Sequence, residues 1–119
     1  MKYVDGFVLV VPKKNLKAYA RMASLGGKIW KEHGALEYRE CAGDDLNAKY
    51  GMPFPKVMKL KTGETAVFSW IVFKSRAHRD SVNAKVMKDP RMEKMMKEEK
   101  PPFDGKRMVY GGFEVLVDA

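Results

Sequence analysis

Cysteine and histidine are scarce in this chain. Its 119 residues include one cysteine, Cys41, and two histidines, His33 and His78. A lone cysteine cannot close an internal disulfide, a composition typical of a reducing compartment, so we expect a cytoplasmic protein. These side chains form none of the paired spacings, such as HxxxH or CxxC, from which zinc sites are built. We therefore expect no metal site, and we interpret Cys41 as a small packing residue.

Long apolar runs and nucleotide-binding motifs are also missing. The longest apolar runs, near residues 8–11 and 66–73, are far shorter than the roughly 20 residues of a membrane-spanning helix. The first residues carry an early charge and no cleavage site, so we do not expect a signal peptide. Neither GxGxxG nor GxxxxGK followed by Ser or Thr occurs, which argues against Rossmann and P-loop chemistry. We expect no membrane partner and no cofactor.

What the chain does contain is enough apolar material for one packed domain, predicted to span residues 1–119. The apolar share is 45%, and the net charge is +8. Such a charge could give weak, salt-sensitive binding to a polyanion. However, the basic residues between 85 and 100 are interrupted by Pro90 and diluted by glutamates. The third strand also lacks the basic residue and glycine of an RNA-recognition module, so we expect no specific nucleic-acid partner.

The pattern of elements predicts a ferredoxin-like α+β fold. Strands are predicted at 3–11, 35–42, 64–73 and 106–117, and helices from Leu16 to about 33, from a Ser75 N-cap to about 88, and over about 90–99. The segment 54–60 fits either a helical turn or a short strand. The order β-α-β-β-α-β suits a four-stranded antiparallel sheet with helices on one face.

The predicted strands are apolar on both faces, which one layer of helices cannot cover. In the first strand Val4, Val8 and Val10 alternate with Phe7 and Leu9. A sheet with a solvated face should instead alternate with polar residues. A second copy of the sheet would cover the remaining face, so we predict a face-to-face homodimer, a dimeric α+β barrel.

Several short stretches carry a resemblance to a known family. They follow one another along nearly the whole chain: Tyr3–Phe7, Gly34–Leu36, Glu40–Cys41, Phe68–Trp70, Arg79–Asp80, Asp89–Met92, Pro102–Met108 and Tyr110–Phe113. In these stretches the chain resembles the YbaA-like family, small bacterial proteins of unknown function. The resemblance implies the dimeric α+β barrel superfamily, whose members include cofactor-free monooxygenases, isomerases, haem-binding enzymes and plain ligand binders. It implies no particular activity.

Acidic residues placed among aromatic ones are the candidate chemistry. Asp5 and Glu114 are the predicted catalytic acids, because a carboxylate desolvated in an apolar cavity has a raised pKa and can act as a general base. The predicted ligand-binding residues are Phe7, Phe68, Trp70, Tyr110 and Arg79. Glu40 shares a strand face with Tyr38 in the same way. If the valine-rich strand faces meet the helices, the aromatic faces line the space between the two sheets.

The alternative interpretation is that these acids are structural. Asp5 and Glu114 would then lie at strand ends or pair with Arg39 or Arg107 across strands. Weighing both, we expect a protein that holds a small organic, ring-bearing molecule between sheet and helices, with monooxygenase- or isomerase-like chemistry as one form of that function. The alternatives are a homodimeric binding or structural protein without catalysis, and a weak RNA binder.

Overall fold

The computed structural model describes all residues, 1–119, and confirms the α+β fold class. Four strands and four helices follow one another as β1 (Tyr3–Pro12), α1 (Leu16–Glu32), β2 (Glu37–Ala42), α2 (Phe54–Val57), β3 (Glu64–Phe73), α3 (Arg76–Met87), α4 (Pro90–Met96) and β4 (Asp104–Glu114). The undecided segment 54–60 is thus a helical turn. None of the helices combines the length and the apolar character that a membrane span requires.

The strands form one antiparallel sheet in the order β2-β3-β1-β4. The central strand β1 pairs Tyr3 with Phe73 of β3 and with Glu114 of β4. β4 ends at Glu114, which pairs with the first residue of β1, instead of reaching 117 as the sequence predicts. One further backbone hydrogen bond runs from the Val115 N–H to the Lys2 carbonyl.

The side of the sheet that meets the helices carries Tyr3, Asp5, Leu9 and Val11 of β1. Tyr3, Leu9 and Val11 are buried against side chains of α1 and α3, and Asp5 accepts a hydrogen bond from Arg79 of α3. On β1 the valine-rich face therefore lies away from the helices, whereas on β3 the aliphatic face with Val67 and Ile71 meets them. The sequence could not decide this, because alternation separates two faces but cannot rank them when both are apolar.

The opposite side, which we call the open face, has no helical layer over its centre. It exposes Phe68 by 47%, Val109 by 57% and Phe113 by 60%, with Trp70 partly exposed between them. Cys41 lies opposite Phe68 and is exposed. Within one chain it is therefore not the small packing residue that the sequence predicted.

Two glycines in α1 let that helix approach the sheet. A Cβ atom on Gly27 would lie 2.9 Å from the Tyr38 ring, and one on Gly26 would lie 3.3 Å from the Tyr38 hydroxyl. Both contacts are tighter than ordinary packing allows. The pair thus forms a slot for the aromatic side chain of Tyr38 on β2.

Helix ends follow the predicted capping residues. The Ser75 hydroxyl accepts a hydrogen bond from the His78 N–H at the start of α3. The Asp89 carboxylate, just before Pro90, accepts one from the Arg91 N–H at the start of α4. After α1, Gly34 takes a φ of 116°, a left-handed conformation that favours glycine. His33, at the end of α1, contacts the Asp89 carboxylate at 2.9 Å.

Ion pairs make the fold sensitive to acid. Arg107 holds the pKa of Glu64 and of Asp104 below the usual range, and Arg91 and His33 do the same for Asp89. Lowered folded-state pKa values give stability that is present above the unfolded value near pH 4 and lost as pH falls through the folded value.

We expect the melting temperature to fall steadily from about pH 5 downwards, and Asp89→Asn to flatten that slope in calorimetric scans. An unchanged slope in that variant would contradict the assignment.

Candidate functional site

A cavity of about 370 Å³ lies between the sheet and the helices α1 and α4. The sheet contributes Phe7, Leu9 and Ile71 to its floor. The helical side and the segment leading to β4 contribute Met22, Ala23, Trp30, Met92, Met95 and Phe103. The walls are therefore mainly apolar, with aromatic rings and flexible thioethers in most positions.

The polar part of this cavity centres on Glu40. The Tyr19 hydroxyl donates to Glu40 Oε1 at 2.8 Å, and the Tyr38 hydroxyl donates to Oε2 at 2.6 Å. Burial, together with the adjacent carboxylate, raises the pKa of both phenols far above the ordinary value. Both tyrosines therefore stay protonated, and both act as donors to Glu40.

A second polar network runs beside the cavity and joins α1, α3, β1 and β4. The Trp30 indole N–H donates to Asn83 at 3.0 Å, and the Asn83 amide donates to Asp5 at 3.3 Å. Arg79 Nη1 donates to Asp5 Oδ1 at 2.8 Å and to the Tyr110 hydroxyl at 3.3 Å. The Arg79 guanidinium also lies 4.8 Å from the centroid of the Tyr3 ring. This network fixes how α3 sits on the sheet.

Asp5 is the most buried charged residue in that network, with 1% of its surface exposed. Burial raises the pKa of its carboxyl, while hydrogen bonds from Asn83 and the charge of Arg79 oppose the rise. Both carboxylate oxygens are engaged, and Asp5 is absent from the cavity lining. The carboxylate is thus held by an arginine, although the partner is Arg79 and not the Arg39 or Arg107 of the alternative interpretation.

The structure does not bring the seven predicted site residues together. Phe7 lines the cavity and stacks on Tyr110, with ring centroids 4.8 Å apart. Asp5, Arg79 and Tyr110 form the network beside the cavity, and Glu114 is exposed at the end of β4. Phe68 and Trp70 lie on the open face, whose side chains point away from the cavity.

Sequence reasoning missed Trp30, Tyr19 and Glu40 as cavity residues. Trp30 and Tyr19 are visible as members of the apolar stripe of α1, and Glu40 shares its strand face with Tyr38. What the sequence could not supply was which face of β2 lies under α1.

Solved structures of other proteins share this fold. This chain is similar to a mutant of SnoaB, a cofactor-independent oxygenase from Streptomyces nogalater, with a TM-score of 0.58 and 9% identity. The match covers 98% of this chain and 95% of the SnoaB chain. A dimeric ferredoxin-like protein from an uncultured marine organism matches over 100% of both chains, with a TM-score of 0.56 and 12% identity. At such identities the likeness shows the fold alone.

Sequence relatives carry the identification further. The uncharacterized protein YbaA of Escherichia coli K12 is 46% identical over 118 residues, covering 99% of both chains. YbaA of Shigella flexneri matches to the same extent. The predicted resemblance to the YbaA-like family is thus confirmed. A family model described as a protein of unknown function, DUF1428, matches residues 2–105. The chain therefore belongs to the DUF1428 family.

Proposed function

We propose that this protein binds a small organic molecule with an apolar, ring-bearing body in the cavity between the sheet and α1 and α4. The observation that carries the proposal is the cavity itself, about 370 Å³ with predominantly apolar walls. Small-molecule sites commonly enclose roughly 300–1,000 Å³, with few polar groups among many apolar ones. The cavity thus has the size and composition of a ligand site.

The side chains of the walls suit a flat, ring-bearing ligand. Met22, Met92 and Met95 are unbranched and polarisable, so they can adapt to a ring and make favourable sulfur–aromatic contacts. Trp30 and Phe103 add aromatic surfaces. The fold is shared with a cofactor-independent oxygenase, but 9% identity carries no reaction to this chain, so the proposal is limited to binding.

The two tryptophans allow a direct test because only Trp30 lines the cavity, whereas Trp70 lies on the open face. We expect a naphthoquinone such as menadione to quench tryptophan fluorescence with a saturable binding curve. Trp30→Phe should abolish the quenching, and Trp70→Phe should preserve it.

A cavity-filling variant and a surface variant of the same type form a second test. Ala23 is buried against the cavity, so Ala23→Met should occupy part of its volume and weaken menadione binding by at least about tenfold, since overpacking costs of order 1–3 kcal/mol. Ala84→Met, on the exposed side of α3, should leave binding unchanged. Quenching that follows Trp70, or an unchanged menadione affinity in Ala23→Met, would refute binding in this cavity.

We further propose that the protein works as a homodimer that covers the open face with a second copy. The support is the exposure of Phe68, Val109 and Phe113 on one side of the sheet, together with the dimeric ferredoxin-like protein of the same fold. Monomeric proteins rarely expose a contiguous apolar patch of this kind.

A further inference from the structure

We propose that Glu40 is the polar anchor of the cavity and that it selects ligands whose ring-bearing body carries a hydrogen-bond-donating head group, a hydroxyl or an ammonium. The inference rests on the proposed binding function and names the ligand class of that site. Glu40 is proposed here as a binding residue, whereas the sequence analysis predicted Asp5 and Glu114 as catalytic acids.

Glu40 differs from the other engaged acids because it forms no ion pair. Asp5, Glu64 and Asp89 each form an ion pair with an arginine, whereas Glu40 forms none. Its hydrogen-bond partners are the neutral phenols of Tyr19 and Tyr38. The carboxylate therefore lies at the edge of an apolar cavity without an ion-pair partner, where a ligand donor gains most from it. Arg39, which also lines the cavity, is held instead by the Tyr38 carbonyl and lies 3.7 Å from Glu37.

The geometry leaves acceptor capacity for a ligand. A carboxylate has about four lone-pair sites, and the two phenols occupy one on each oxygen. Since both tyrosine hydroxyls are committed as donors to Glu40, the carboxylate and the two phenol oxygens can only accept hydrogen bonds from a ligand, and the carboxylate is the charged acceptor among them. A ligand head that only accepts, such as a carboxylate, would meet like charge instead.

The position of Glu40 and the fixed orientation of Tyr38 also favour an anchor at the edge of the cavity. Glu40 and Tyr38 line the cavity and also a groove outside α1 that includes Lys28 and Lys31. The carboxylate thus marks the cavity mouth, with the apolar body of a ligand directed inwards. The slot at Gly26 and Gly27 fixes the Tyr38 ring, and through its hydroxyl the orientation of Glu40.

A series of ligands with one skeleton tests the proposal: naphthalene, naphthol, naphthylmethylammonium and naphthoate, titrated by calorimetry into the full chain. We expect naphthol and the ammonium to bind more tightly than naphthalene, and naphthoate to bind most weakly. Glu40→Gln should reduce the affinity for both donor ligands by roughly ten- to hundredfold and leave naphthalene unchanged, because a hydrogen bond to a charged group is lost. Comparing the hydroxyl and ammonium arms shows whether charge adds to the selection.

Matched variants separate anchoring from stability. Glu93→Gln changes an exposed glutamate of α4 that does not line the cavity and should preserve the preference for donors. Tyr38→Phe keeps the ring but removes the hydrogen bond that orients Glu40, so the ratio of naphthol to naphthalene affinity should fall while naphthalene binding persists. Equal binding of naphthalene and naphthol, or an unchanged ratio in Glu40→Gln, would overturn the anchor and leave the proposed function standing. Failure of every ligand to bind would overturn both.

Discussion

Arg79→Met is expected to lower the free energy of unfolding by about 3–5 kcal/mol, since removing one partner of a buried ion pair leaves an uncompensated charge. Asp5 is 1% exposed and Arg79 is 14% exposed, and their closest atoms are 2.8 Å apart. In the variant the Asp5 carboxylate would keep only the amide of Asn83 as a donor. Urea denaturation monitored by circular dichroism measures the loss.

The loss should depend on pH in a stated direction. Without Arg79, burial raises the folded-state pKa of Asp5 still further above its unfolded value, because the opposing charge is gone. A raised pKa gives stability that is present below the unfolded value and lost as pH rises through the folded one. Arg79→Met should therefore be less destabilising near pH 4 than near pH 7, relative to the wild type at each pH.

Two controls distinguish a buried pair from a surface pair. Arg39→Met removes an exposed arginine whose nearest acid, Glu37, is 3.7 Å away, and should cost less than about 1 kcal/mol. The double variant Asp5→Val, Arg79→Met removes both charges and should be more stable than Arg79→Met alone. A loss below about 1 kcal/mol in Arg79→Met would show that Asp5 is not held by this pair.

Phe113→Glu is expected to convert a dimer into a monomer. Phe113 lies on the open face with 60% of its surface exposed, near Val109 of the same strand. If a second sheet covers this face, the substitution places an unpaired carboxylate in an apolar interface, once in each copy. At about 3–5 kcal/mol for one such charge, the dissociation constant should rise by at least about a hundredfold.

Size-exclusion chromatography with light scattering measures this directly. The wild type should return about twice 13.6 kDa at micromolar concentration, and Phe113→Glu should return the monomer mass. Met87→Glu provides the matched control, because Met87 is a 45% exposed apolar residue on α3, away from the open face. A monomeric wild type, or a Phe113→Glu variant that stays dimeric, would remove the sheet-to-sheet dimer.

The sequence by itself determined the elements that depend on local rules. The bounds of β3, Glu64–Phe73, match the prediction, and Ser75 and Asp89 cap their helices as expected. Alternation and capping act over a few residues, so the order of side chains along the chain contains them. The order of strands and helices then left the ferredoxin-like arrangement as the natural fold, and the two apolar faces of β1 predicted a second layer.

Only the tertiary structure decided which residues share a site. Asp5 meets Arg79 across 74 positions, and Tyr19 meets Glu40 across 21, distances over which no local pattern acts. The sequence left undetermined which face of the sheet lies under the helices, because both faces are apolar. Exchanging the two faces would move every strand side chain from the cavity side to the open face, or the reverse. The β1–β3 register, which pairs Gly6 with Trp70 and Asp5 with Ile71, placed Trp70 and Asp5 on opposite faces. The fit of helix side chains to one of these faces then placed Glu40 at the cavity mouth.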